Sequence, residues 1–117
     1  MEKQKKSQNE HSQIRVEELS LIDQSLQNLL MQKQVFQMEL IETTNALEEL
    51  KKLKSDEDVF KIVGSLMVKA NKEETEKELT KKRDLINLRI TAIEKQEEDL
   101  KKKLLSVREE VLKTFKN

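Results

Sequence analysis

One stretch breaks an otherwise uniform helical pattern. Asp58-Val-Phe-Lys-Ile-Val-Gly-Ser-Leu-Met-Val-Lys69 packs Val59, Phe60, Ile62, Val63, Leu66, Met67 and Val68 around Gly64, the only glycine in the chain. Runs of β-branched and aromatic residues bounded by turn residues read as strands, and Gly-Ser between two such runs reads as a tight hairpin turn. With Gly64 and Ser65 at the turn, Val63 faces Leu66 and Ile62 faces Met67. Phe60, Ile62 and Met67 then share one face of the hairpin, and Val59, Val63, Leu66 and Val68 the other. Both faces are apolar, and each strand keeps an unpaired outer edge. A lone two-stranded hairpin is at best marginally stable in water. No third strand exists in the chain to cover it, so the expectation is that other subunits do.

The arms on either side read as one long helix each. From Gln13 to Lys54, Leu19, Ile22, Leu26, Leu29, Phe36, Leu40, Leu47 and Leu50 recur at 3–4 spacing, with Lys33 and Thr43 as polar members. Sustained spacing of this kind marks a coiled-coil seam. Ile14, Val16, Leu21, Leu30, Val35, Met38 and Ile41 lie off it. No proline and no interior glycine interrupts either arm. After the hairpin, Asn71 is a good N-cap, acids fill the first turn, and a second helix is expected over 72–115. Its seam is Leu79, Arg83, Ile86, Ile90, Ile93, Glu97, Leu100, Leu104, Val107, Val111 and Thr114, with Leu85, Leu88, Leu105, Leu112 and Phe115 off it.

Two helices of similar length joined by a short β element most simply fold back as an antiparallel pair. The fold class expected is therefore all-α dominated: a long antiparallel two-helix coiled coil whose β-hairpin serves oligomerisation. Residues 13–117 form one domain (helix 13–54, hairpin 58–69, helix 72–115), preceded by a disordered polar lead-in over 1–12. Lys33 and Glu97 fall close to one another in the seam, where a charged pair sets register rather than adding stability. Both chain ends meet at a tip that carries more apolar surface than a seam needs. Ile14, Val16, Leu19, Leu21 and Ile22 oppose Leu104, Leu105, Val107, Val111, Leu112 and Phe115. Periodicity serves equally a clasp against fraying and an adhesive surface for apolar partners.

Composition narrows the function. Lys and Arg number 23, as do Asp and Glu, so the formal net charge is zero. Nucleic acid and anionic membrane both reward a basic excess, and neither is expected as a partner. Cysteine is absent, which fits a reducing compartment, and the cytoplasm is the default location. A single histidine, His11, has no second metal ligand nearby, so no metal and no cofactor are expected. There is no Ser-His arrangement and no phosphate loop, and the acids are spaced as on solvated helix faces. The chain is not expected to be an enzyme.

The hairpin stretch resembles the signature of the prefoldin β-class subunits, an aromatic-Lys-x-x-Gly-x-hydrophobic-hydrophobic-x-Lys pattern met here from Phe60 to Lys69. Gln32-Lys-Gln34, Ala46-Leu-Glu-Glu-Leu50 and Glu94-Lys-Gln-Glu-Glu98 are also similar to that family, and the likeness covers about Leu19 to Val111. The resemblance implies an ATP-independent holdase, a hexamer of two α-class and four β-class subunits. In it the hairpins form a β platform, and the tips hold unfolded polypeptide for delivery to a group II chaperonin. On that reading Val59, Phe60, Ile62, Val63, Gly64, Leu66, Met67 and Val68 serve assembly, and the tip residues grip clients. The polar lead-in and the lack of a Gln-rich or Gly-rich tail after Phe115 depart from the family pattern. The competing reading is a structural coiled-coil tether that holds no client.

Overall fold

Nothing in the first arm stops a helix, and α1 runs unbroken over Glu2–Lys52. The computed structural model describes residues 2–116, and the side chains of residue 10 and residues 13–115. The polar lead-in is thus helical from Glu2 onward rather than disordered over 1–12. Its Glu, Lys and Gln residues are good helix formers, and extending an existing helix avoids the cost of a new nucleus. The His11 side chain lies outside the described residues. At the other end α1 stops at Lys52, with Lys51 and Lys52 complementing the negative helix pole. The chain then tightens: Leu53 N–H donates to the Leu50 carbonyl and Glu57 N–H to the Lys54 carbonyl, both at 3.1 Å.

Strands β1 (Val59–Val63) and β2 (Leu66–Ala70) follow as an antiparallel pair. Helix α2 spans Lys72–Lys116. Asn71 caps it as expected, its Oδ1 accepting from Glu73 N–H at 2.8 Å and Glu74 N–H at 3.5 Å. Glu73 and Glu74 favour the positive pole of the first turn. Two long helices joined by a short hairpin is the architecture the sequence predicts.

The chain divides into two compact units. The terminal unit comprises residues 1–33 and 92–117. In it Ile22, Val107 and Val111 form a buried cluster, with Leu19, Leu26, Leu100 and Leu104 packed against it. Arg15 pairs with Glu110 at 2.9 Å, and Lys33 with Glu97 at 2.7 Å. A position early in α1 thus meets one late in α2, which makes the pairing antiparallel in this unit. The hairpin unit, residues 34–91, buries Thr43, Leu47, Leu50, Val59, Thr75, Ile86 and Ile90. Thr43 can be buried in the seam because its hydroxyl donates back to the Glu39 carbonyl at 2.7 Å.

Candidate functional site

The hairpin is closed at its tip by a two-residue turn and braced at its base. Val63 pairs with Leu66, Ile62 with Met67, Phe60 with Lys69 and Val59 with Ala70. Gly64 takes φ +62°, and no other described residue has positive φ. That is the sign pattern of a type II′ turn, in which glycine belongs at the first central position. A Cβ on Gly64 would meet nothing within 4 Å, so backbone conformation alone demands glycine there.

Ion pairs fix the base. Lys61 Nζ reaches Glu78 of α2 at 2.9 Å, and Lys69 Nζ reaches Asp58 at 3.2 Å. The two lysines of the hairpin pattern thus tie the strands to their own chain. Lys72 Nζ donates to the Leu53 carbonyl at 2.6 Å, closing the neck between α1 and α2. Periodicity could not reveal these contacts, since the partners of Lys61 and Lys72 lie 17 and 19 residues away on other elements. Between the neck and β1 lies an apolar cleft of about 390 Å³, walled by Leu50, Leu53, Val59, Phe60 and Leu79.

Of the apolar hairpin side chains, only Val59 is covered, at 8% exposure. Phe60, Val63, Leu66, Met67 and Val68 are exposed, and Ile62 reaches 75%. Both faces of the sheet are therefore bare in the single chain. The sheet has only two strands, so each keeps a free edge. The chain's own helices do not shield this surface.

The terminal unit treats its apolar residues in two ways. Ile22 and Val107 are each 4% exposed, and Val111 is buried with them, while Leu19 and Leu104 are half-buried. These five face the seam, as their 3–4 spacing requires. Of the eleven terminal apolar residues that the resemblance assigns to clients, Ile22, Val107 and Val111 form a clasp and are buried while it is closed. Ile14, Val16, Leu21, Leu105, Leu112 and Phe115 lie outside the seam, and all six are exposed, Phe115 at 70%. The clasp is braced by charge. Arg15 donates to Glu18 at 2.8 Å and pairs with Glu110, and Lys103 lies 3.7 Å from Glu18. The Glu18 hydrogen bond, followed by the charge of Glu110, pushes the Arg15 pKa further above its usual value.

Lys33 and Glu97 meet as the spacing predicts, Nζ to Oε1 at 2.7 Å, with Glu97 buried. Each ion answers the other in a seam that is otherwise mostly apolar. Among the described residues, no cluster of His, Cys, Asp and Glu could hold a metal ion. None of the described helices is long and apolar enough to cross a membrane.

Comparison with known proteins adds to this geometry. A family model described as prefoldin subunit matches residues 1–117. The prefoldin subunit beta of Thermococcus kodakarensis is 40% identical over 87 residues, which is 74% of this chain and 74% of that protein. The prefoldin subunit beta of Saccharolobus islandicus is 43% identical over 79 residues, covering 68% of this chain and 63% of that one. The crystal structure of the prefoldin beta subunit from Thermococcus strain KS-1 superposes with a TM-score of 0.80 at 36% identity, over 86% of this chain and 89% of that one. The beta2 subunit of the same strain gives 0.69 at 19% identity, over 78% of this chain and 97% of that one, which is a likeness of fold alone.

Proposed function

We propose, from the premise that this chain belongs to the prefoldin family as a β-class subunit, that it works as part of an ATP-independent holdase. In this reading it assembles with α-class and further β-class subunits into a hetero-hexamer in the cytoplasm. The complex captures unfolded polypeptide and passes it to a group II chaperonin. One observation carries the assembly half: a two-stranded hairpin with six bare apolar side chains and two open edges. Full burial of such a side chain contributes about 1.5–3 kcal/mol, so six represent on the order of 10 kcal/mol of unused stabilisation. That is comparable to the whole stability of a small domain, and sister hairpins of the same kind are the natural cover.

The holding half rests on Ile14, Val16, Leu21, Leu105, Leu112 and Phe115. They flank a closed clasp on backbone that is hydrogen-bonded as helix up to the last turn of α2. Such a surface stays in water without unfolding and makes weak, non-directional contacts that suit many clients. Several copies in one complex raise the avidity of each contact. No nucleotide is needed for binding of this kind.

The experiment pairs two measurements. Sedimentation with and without an α-class partner should give a defined hetero-oligomer. Light scattering of a denatured model protein should show its aggregation suppressed by that complex. A complex that assembles and leaves aggregation unchanged would leave only the tether role.

A further inference from the structure

We propose that Lys61 and Glu78 are positioning residues for assembly: their ion pair holds the hairpin at one angle to its helices and so presents its bare faces to sister subunits in a single orientation. The proposal rests on the assembly half of the reading above and gives a role to two charged residues outside the apolar faces.

The hairpin joins its helices through short irregular segments, residues 53–58 on one side and Asn71 alone on the other. Such joints leave the angle of the sheet open unless side chains fix it. Val59 supplies one fixed point, buried at the base of β1. A single contact sets where a strand starts and leaves its direction free. Residues two apart on a strand face the same way about 6.6 Å apart, so Lys61 leaves the same face as Val59, one step further along β1. Its Nζ reaches both carboxylate oxygens of Glu78, at 2.9 and 3.2 Å. Two contacts along one strand define a direction.

Glu78 is a suitable post. Lys72, six residues before it on α2, donates to the Leu53 carbonyl just past the end of α1, and Thr75 between them is buried. The start of α2 is thereby fixed against the end of α1, and Glu78 with it. The other ion pair of the hairpin does not serve this purpose. Asp58 immediately precedes β1, so the Lys69–Asp58 pair ties the sheet to its own lead-in and not to a helix. Among the described residues, no other salt bridge joins the hairpin to a helix.

The Lys61 side chain is 42% exposed and that of Glu78 60%, so in the single chain their pair adds little stability. Its effect lies in orientation. A hairpin free to swing spends part of its time at angles that sister hairpins cannot meet, and apparent affinity falls with the competent fraction. A lysine kept only to discourage stray edge pairing would need no acid on α2.

The test uses the full chain, which has no cysteine of its own, assembled with an α-class partner. Lys61→Glu and Glu78→Lys should each weaken subunit affinity about threefold to tenfold, read by dilution and sedimentation, and the double variant carrying both should restore it. Urea unfolding of the unassembled chain should change little. Nitroxide labels on Ser65→Cys and Lys82→Cys should give one narrow distance distribution in the unassembled parent chain. The distribution should broaden in Lys61→Glu and narrow again in the double variant. Full affinity in either single variant would overturn the proposal. So would failure of the double variant to restore affinity, since Lys61 would then answer an acid on a partner. An affinity loss without broadening, or one matched by an equal loss of single-chain stability, would overturn it as well. If the unaltered chain formed no complex, the assembly reading itself would fall, an outcome separable from failure of this pair.

Discussion

The hairpin unit and the terminal unit both expose apolar side chains, yet they do so on different backbones. In the hairpin, Ile62, Val63, Leu66 and Met67 stand on a sheet of two strands with bare faces and open edges. In the terminal unit, Leu21 and Leu105 stand within helices whose peptide groups are already paired and whose seam is closed over Ile22, Val107 and Val111. The first surface lacks both burial and hydrogen bonds and gains from a permanent partner. The second lacks only burial and can wait in water for a transient one. The contrast separates assembly from holding by physics rather than by position in the chain.

Charge placed on each surface should break one role and spare the other. Ile62→Asp with Leu66→Asp puts carboxylates on both hairpin faces. It should abolish assembly, reducing the sedimenting species to single chains while the far-ultraviolet helical signal persists. This is the largest effect expected. The mirror variant, Leu21→Ser with Leu105→Ser and Phe115→Ser, should leave the oligomer intact and reduce protection of a denatured client severalfold. Hairpin variants that still assemble, or terminal variants that fall apart, would erase the distinction.

Within the terminal unit, neighbouring residues sharpen the same point. Ile22→Ala opens a hole in the clasp and should cost about 2–4 kcal/mol in urea unfolding. Leu21→Ala, one residue away and 63% exposed, should change stability by less than about 0.5 kcal/mol. The Leu21 variant should be the one that alters client binding. Equal stability costs would mean that the exposed residues belong to the core after all.

These pairs also show how far the sequence was legible. Spacing alone separated the seam from its surroundings: Ile22, Leu29, Leu47, Ile86, Ile90 and Val107 are buried, whereas Leu21, Val35, Met38, Leu88 and Leu105 are exposed. Gly-Ser set the hairpin register because a two-residue turn leaves one way to pair the strands. The same spacing put Leu19, Ile22, Leu104, Val107 and Val111 in the seam, whereas the assignment of all eleven terminal apolar residues to clients came from the family resemblance and not from helical phase. The early start of α1 was missed because a polar segment without apolar spacing gives no periodic signal, although it remains a willing continuation of a helix. The Lys61–Glu78 and Lys72–Leu53 contacts had no signal at all, since they depend on how the neck folds.

A smaller effect is expected at the seam's charged layer. Lys33→Ala leaves Glu97 buried without its partner and should cost about 2 kcal/mol, less than a deep ion because both groups keep some contact with water. Replacing both, as Lys33→Met with Glu97→Leu, should restore that stability or exceed it. A disulfide introduced across the terminal unit would then form in more than one register if the pair sets alignment, and in a single one if it does not.

The smallest change lies at the turn, and where it is felt matters more than its size. Gly64 holds φ +62°, where a Cβ is disfavoured by about 1–2 kcal/mol, and no neighbour crowds the position. In the single chain the hairpin shields little apolar surface, so its strain should scarcely shift the helical unfolding transition of Gly64→Ala. In the complex each hairpin must adopt this turn to present its faces, so the same strain should weaken subunit affinity by about five- to thirtyfold. Dilution followed by sedimentation would detect that loss. If the cost appeared instead in single-chain unfolding and left assembly untouched, the hairpin would be part of the chain's own core, and its likeness to the terminal surface would be greater than its difference.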